Sequence, residues 1–401
     1  VIFVITYGGI AVGHMPALKV SRTGITLLGA IALMIFAGVT TTDAVAFINW
    51  PTIFLLFGFF VLSAQLHLSG FFDKVASFVA ARLGHPARFL FELMLVTAGL
   101  SAVLNHDIVC FVFTPIVAAA LIQQKLHPTP FLIALTIASN IGAAATLVGN
   151  PQDMMISQVA QLDFGHYFLW SITPVLFALG CAYVIIWMLS RKTLQPSAFS
   201  LTGAQHAHQP FDRGHTIKGL VILTIVIALF FSPLPKEVIA LAAAGIHIAS
   251  RKFRTEKLLA LVDWPLLVLF MALFVVVGSF QTTGYGQQAV RWLASNGVDL
   301  QSLPVLAVVT AALSNLLNNS AAVMLLLNVV DLSHPVTAYT LALANSFGGS
   351  LAIIGSVSNI IVVQQARALG VKISLYDFIR LGIPVTLAAI GGLMLWTMLM
   401  A

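Results

Sequence analysis

The sequence predicts an all-α, polytopic membrane protein of two inverted repeats: ten transmembrane helices plus two re-entrant helical hairpins, with broken helices at the midplane. Three observations carry this expectation. The composition suits lipid, apolar runs of spanning length recur from end to end, and a set of landmarks in the first half returns in the same order in the second.

Of the residues, 59% are hydrophobic and only 8% charged, where soluble proteins carry about 25% charged residues. Spans are expected at 1–14, 23–40, 50–68, 129–149 and 167–190, then at 216–232, 236–250, 263–282, 335–356 and 375–400. Each has roughly the length needed to cross a ~30 Å hydrocarbon core. Two further apolar stretches, 88–123 and 303–331, are interrupted by Asn105-His106-Asp107 and by Asn318-Asn319-Ser320. A polar triplet in the middle of an apolar stretch reads as the tip of a hairpin that enters and leaves the membrane on one side. Irregular backbone at that depth is tolerated only where protein or water surrounds it.

Lys and Arg bias short loops to the cytoplasm. With both hairpins re-entrant, 17 of the 19 basic residues fall on one side, from Lys19 and Arg22 through Arg367, Lys372 and Arg380, and only Lys236 and Arg291 on the other. That asymmetry places both termini on the non-cytoplasmic side, and the expected location is the cell's inner (plasma) membrane. The formal charge of +6 is spread over these loops, so its partner is the anionic lipid surface of the bilayer, not nucleic acid. No signal peptide is read from the first residues, and the start at Val1 leaves open a longer natural N-terminus. Two cysteines, Cys110 and Cys181, give neither a disulfide framework nor a zinc spacing, and no cofactor or resident metal is expected.

Trp50-Pro51 opens a span closed by Ser69-Gly70, and Trp264-Pro265 one closed by Thr283-Gly284. The two hairpin triplets correspond. Ser139-Asn140 with Gly149-Asn150 corresponds to Asn345-Ser346 with Gly355-Ser356, and Phe168 and Pro174 to Phe378 and Pro384. Each unit has an odd number of crossings, so the second copy inserts upside down, the arrangement of secondary transporters. The domains are therefore a first repeat over 1–192, a cytoplasmic linker over 193–215 and a second repeat over 216–401. His206, His208 and His215 in the linker read as a solvated loop in preference to a metal sensor.

Hairpin tips and broken helices leave backbone N–H and C=O groups free to hold ions and anions. The candidate solute and ion site therefore comprises Asn105, His106 and Asp107, Asn318, Asn319 and Ser320, and two polar breaks. One break supplies Ser139, Asn140, Gly142, Thr146, Gly149 and Asn150 and runs on through Pro151, Gln152 and Asp153; the other supplies Asn345, Ser346, Gly349, Ser350, Gly355, Ser356 and Asn359. Asn, Ser and Gly also serve ordinary helix contacts in membranes, but Asn-containing tips repeated in both halves favour a site. Asp107 stands out, because a carboxylate at the centre of a span costs about 2.5–3.5 kcal/mol on insertion scales. It reads as a proton-coupling group or a cation ligand, with helix capping as the bland reading. His106 is a proton relay, an anion contact or a structural hydrogen bond. Cys110, one turn on, is a soft-solute contact or a buried small residue. No P-loop, HExxH or nucleophile elbow is present, so an enzyme is not expected and the energy source is an ion or solute gradient.

The stretches SGFFDKVA at 69–76, LNHDIVCFVFTPIV at 104–117, SNIGAAATLVGNPQDMMI at 139–156, SNLLNNSAAVMLLLNVV at 314–330 and IGSVSNIIV at 354–362 resemble the ArsB/NhaD branch of the ion transporter superfamily. That superfamily includes arsenite pumps, sodium/proton antiporters, citrate carriers and sodium-coupled dicarboxylate symporters. The resemblance implies hairpin tips that bind ion and solute and a core that moves against a scaffold. It also implies pairing into homodimers and, for an arsenite pump, an associated ATPase subunit. In the symporter branch each tip reads Ser-Asn-Thr and holds sodium; here only Asn319 matches, with Ser320 near to Thr. The arsenite-pump branch has an Asn-Asp pair at its first tip, where Asp107 matches and His106 does not. This favours proton-coupled efflux of a small inorganic solute of the arsenite or antimonite type. The alternatives are a sodium-coupled carboxylate symporter, a sodium/proton antiporter, and a channel or receptor that would not drive uphill accumulation.

Overall fold

The computed structural model describes residues 1–12, 20–83, 85–191, 210–249 and 252–400. His206 and His208, and most of the 193–215 stretch, lie outside them. The regular secondary structure of the described residues is all helical, with no strand among them. The first half comprises α1 (Ile2–Val12), α2 (Arg22–Phe36), α3 (Thr41–Phe47), α4 (Trp50–Leu68), α5 (Phe71–Ala80), α6 (Pro86–Val103), α7 (His106–Gln123), α8 (Thr129–Ala143), α9 (Pro151–Val159) and α10 (Phe164–Ser190). The second comprises α11 (Arg213–Leu229), α12 (Lys236–Ile248), α13 (Thr255–Leu259), α14 (Trp264–Gln281), α15 (Tyr285–Ser295), α16 (Leu303–Leu317), α17 (Asn319–Leu327), α18 (Pro335–Gly348), α19 (Val357–Ala368) and α20 (Leu375–Met400). A single 3-10 turn, Ile353–Gly355, separates α18 from α19.

Six helices, α4, α6, α7, α10, α14 and α20, are long and apolar enough to cross a membrane, and α1, α2, α8 and α16 are shorter apolar helices. They divide by environment. The apolar window of α4 is 72% buried and that of α10 only 28%, so α4 is enclosed while α10 presents Leu169, Phe177 and Met188 outward. With no water to reward a polar outer face, such a helix is apolar all round.

The landmarks that recur in the sequence recur as local structure. Asn49 caps α4 by accepting from Thr52 N at 3.0 Å, and Asp263 caps α14 by accepting from Leu266 N at 3.0 Å. The indole of Trp50 donates to Val45 O at 3.3 Å and that of Trp264 to Leu259 O at 2.9 Å. Gly70 and Gly284 sit at φ +73° and +71°, opening α5 and α15; an L side chain is disfavoured in that region. Pro174 and Pro384 each lie inside a long helix.

The apolar stretches at 88–123 and 303–331 each resolve into two helices, parting at Leu104–Asn105 and at Asn318. The expected spans 129–149 and 335–356 do not run as continuous helix. α8 stops at Ala143 and α18 at Gly348, and α9 and α19 start afresh beyond the Gly149-Asn150 and Gly355-Ser356 steps. The restart of α9 follows from Pro151 at its first turn and Asn150 accepting from Asp153 N at 2.7 Å. Helix α11 begins at Arg213, inside the stretch read as linker. Its cap, Asp212, pairs with Lys252 and accepts from His215 N at 3.0 Å. The hydrogen bond from Lys252 is the main reason the Asp212 carboxyl lies below its ordinary pKa.

Packing brings the breaks together. α6 lies along α8 and α16 along α18, while α10 packs on α20, α4 on α12 and α2 on α14. At the first two crossings a glycine permits contact at backbone distance. A Cβ on Gly142 would stand 2.3 Å from Ala98 Cα, and one on Gly348 2.6 Å from Ala311 Cα.

Candidate translocation site

Both interrupted stretches end in the same way. Asn105 caps α7 by accepting from Asp107 N at 2.8 Å, and Asn318 caps α17 by accepting from Ser320 N at 2.7 Å. Asn318 does so at φ +91°, a conformation asparagine tolerates better than most residues. Asn105, and not Asp107, supplies the side-chain cap of α7. Asp107 lies in the first turn of α7, where the helix dipole favours a carboxylate. Its Oδ1 has no hydrogen-bond donor among the described residues and stands 3.5 Å from His106 Nε2.

A cavity of about 590 Å³ lies where the two caps meet. His106 and Asp107 line it from one side, Asn318 and Asn319 from another, and Ser356 at the start of α19 from a third. Three residues of other kinds join them: Gln152 on α9, Arg22 at the start of α2 and the α14 cap Asp263. Ser320 stands just behind, accepting from Gln152 Nε2 at 2.8 Å.

The remaining site residues form a buried polar lattice behind the cavity. Asn359 accepts from Thr136 Oγ1 at 2.6 Å and from Asn140 Nδ2 at 3.0 Å, and donates to Gly349 O at 2.7 Å and Ala352 O at 2.8 Å. Ser358 donates to Asn140 Oδ1 at 3.0 Å. The Asn150 amide donates to Asp153 Oδ2 at 2.6 Å and to Ser346 Oγ at 3.0 Å. Ser139 shares a 2.8 Å hydrogen bond with Ser101 and donates to His106 O, and Thr146 donates to Ala102 O. Gly142 and Gly149 serve close backbone approach, and a Cβ at Gly355 would meet Asn315 Oδ1 at 2.4 Å. A Cβ at Gly349 would meet the Asn319 amide at 2.9 Å. Asn319 Oδ1, Ser350 Oγ and both side-chain atoms of Asn345 are buried without a partner among the described residues, the unmet demand expected where a ligand or water belongs. Cys110 is fully buried and does not line the cavity.

A family profile described as "citrate transporter" (CitMHS) matches residues 2–339. The chain belongs to the citrate transporter family. Among similar proteins, an uncharacterized transporter of Mycobacterium tuberculosis is 31% identical over 92% of this chain and 91% of its own. A 46 kDa membrane protein of Mycobacterium leprae is 30% identical over 98% and 97%. The silicon efflux transporter LSI3 of rice is 26% identical over 94% and 93%. In fold the chain is similar to the crystal structure of the YdaH transporter of Alcanivorax borkumensis, with a TM-score of 0.58 at 13% identity over 98% of this chain and 95% of that one. The protein is thus a multi-pass membrane transporter, and the resemblance to the ion transporter superfamily read from its motifs stands.

For this citrate-transporter family member, the fold adds to the cavity two charged residues outside the site expected from sequence, Arg22, which the sequence marks as a topology charge, and Asp263, at the start of an expected span. One signal was available: Asp263 precedes Trp264-Pro265 as Asn49 precedes Trp50-Pro51, which marks it as a helix cap at a repeated landmark.

Proposed function

We propose that the protein is a proton-coupled secondary transporter that exports a small, neutral, hydroxylated inorganic solute of the arsenite, antimonite or silicic acid type. The cavity's charge balance carries this reading. Its ionisable lining is one guanidinium, Arg22, and one imidazole, His106, beside two carboxyl groups, Asp107 and Asp263, a lining without the cluster of permanent positive charge that a multiply charged anion needs. A neutral polyhydroxy acid, by contrast, needs acceptors for its O–H groups and donors to its oxygens. The carboxylates supply the first, and Arg22, Gln152 and the Asn318–Asn319 amides the second. The rice relative's name, a silicon efflux transporter, agrees in chemistry.

In this reading the two halves are inverted repeats, the stretches 88–123 and 303–331 are re-entrant hairpins, and their tips meet the solute. Repeated caps, indole hydrogen bonds and glycine crossings support the repeat. Asp107, beside His106 and with no hydrogen-bond donor to its Oδ1 among the described residues, takes up and releases the coupling proton. With the basic loops on the cytoplasmic side, Ser21, Arg22 and Asp263 at the cavity's edge lie at cytoplasmic helix ends, so the cavity opens inward and both termini face out. A homodimer, and an ATPase subunit in the arsenite case, belong to the same proposal through the resemblance.

The test is flux in proteoliposomes. Asp107→Asn is expected to abolish pH-gradient-driven movement of arsenite or silicic acid, and unchanged flux would remove Asp107 from the mechanism. The second reading, a sodium-coupled carboxylate symporter, is favoured by the family's description and by Arg22 in the cavity. It requires citrate or succinate uptake that stops when sodium is withdrawn.

A further inference from the structure

Asp153, in the first turn of α9, is fully buried. Its Oδ2 accepts from the Asn150 amide, the Ser346 hydroxyl stands beside the carboxyl, and its Oδ1 makes no hydrogen bond among the described residues. Among the described residues no cationic side chain pairs with it. α9 packs on α4, α17 and α18; of these, α17 carries no ionisable residue, α4 only His67 in its last turn, and α18 only Tyr339. From α10, the Tyr167 phenol stands near, donating to Ala144 O at 2.8 Å, while His166 is exposed and paired with Asp163. Glu237 and Lys236 of α12 meet only the far end of α9, at Gln158 and at Leu162 beyond it. No salt bridge to Asp153 is present among the described residues. A buried carboxylate so placed would cost several kcal/mol.

The second half shows what the position requires. Asp153 follows Gly142 and Gly149 as Asn359 follows Gly348 and Gly355, at equal spacings. The glycines make like contacts: a Cβ on Gly149 would strike Ala143 O at 2.2 Å, and one on Gly355 would meet Gly349 O at 3.0 Å. At this place Asn359 acts as a donor, its amide bonding the carbonyls of Gly349 and Ala352. A carboxylate can only accept, whereas a carboxylic acid is a near-isostere of the amide and can donate.

We propose that Asp153 is a second proton-binding site, carrying a proton as a neutral acid in the state seen here. The inference rests on the proton-driven reading for its use in transport. On deprotonation the O–H is lost and the proton leaves toward the cavity, which the preceding residue Gln152 lines. The carboxylate then holds the Asn150 amide more strongly, at the expense of the bond from that amide to Ser346 in the other half.

Infrared spectra of the purified full chain at neutral pH, well above the ordinary carboxylate range of about 4, test this. The wild-type minus Asp153→Asn difference is expected to show a carboxylic-acid C=O band that shifts in D2O and survives in Asp107→Asn. A difference containing only ionised-carboxylate bands overturns the proposal. Should Asp153→Asn fail to fold, Asp153→Glu serves instead: the acid band is expected to move in frequency, and an unmoved acid band overturns the assignment. The band does not depend on flux. Transport indifferent to a pH gradient would therefore defeat proton coupling while leaving this assignment standing, and a missing band would do the reverse.

Discussion

Asn359 shows how much one side chain can organise. It is fully buried, accepts from two residues of α8 and donates to two carbonyls at the break before α19. Asn359→Leu keeps the size and removes all four bonds, orphaning two donors and two carbonyls. At about 1 kcal/mol per bond, and more for each buried group left unmet, the loss should be about 4 kcal/mol or greater. Thermal unfolding of the purified variant is expected to show a large drop in melting temperature, and a drop no larger than that of a surface substitution would contradict the assignment. Residues such as Asn359 and Asn319 were legible in the sequence because an amide within an apolar run has no bland use as frequent as a polar contact. Arg22 and Asp263 were not. They stand at the edges of apolar runs, where charged residues are usual, and only the fold shows that these edges turn inward.

At the scale of helices, the interruptions matter more than the spans. α8 and α18 stop short because the chain must approach a neighbour's backbone and then restart, and Gly142 and Gly348 mark where that approach is tightest. Gly142→Leu and Gly348→Leu must push against the Cα of Ala98 and of Ala311, which cannot swing aside as a side-chain tip can. Overpacking of this kind costs about 1–3 kcal/mol. Both variants are expected to lower melting temperature and solute flux together, whereas Gly180→Leu, with nothing within 4 Å of the added Cβ, should behave as wild type in the same two measurements. Equal behaviour of all three would mean the crossings are looser than described. The breaks themselves could be read from polar triplets and Gly-Asn steps. The short helices α3, α5, α9, α13, α15 and α19 could not, because a segment too short or too polar to span a bilayer gives no hydropathy signal.

For the whole molecule, the proposed orientation rests on the distribution of Lys and Arg, and the side to which the cavity is proposed to open rests on that orientation. Ser21 and Thr283 are exposed residues near opposite ends of their helices. In a chain with Cys110 and Cys181 replaced by Ala, Ser21→Cys should react with a membrane-impermeant maleimide only in inverted vesicles, and Thr283→Cys only in right-side-out ones. The opposite pattern would reverse the cavity's mouth and the direction of transport with it.

Helix α9 belongs by sequence to the first half, yet through Gln152 it grips Ser320 at the start of α17 and through Asn150 it grips Ser346 on α18. These two hooks sit within one turn of a nine-residue helix, so neither partner can travel without tugging the other. α9 acts as a yoke. In the proposed transport cycle these bonds would join residues from both halves of the sequence into one moving block, so that losing them is expected to slow flux more than it lowers stability.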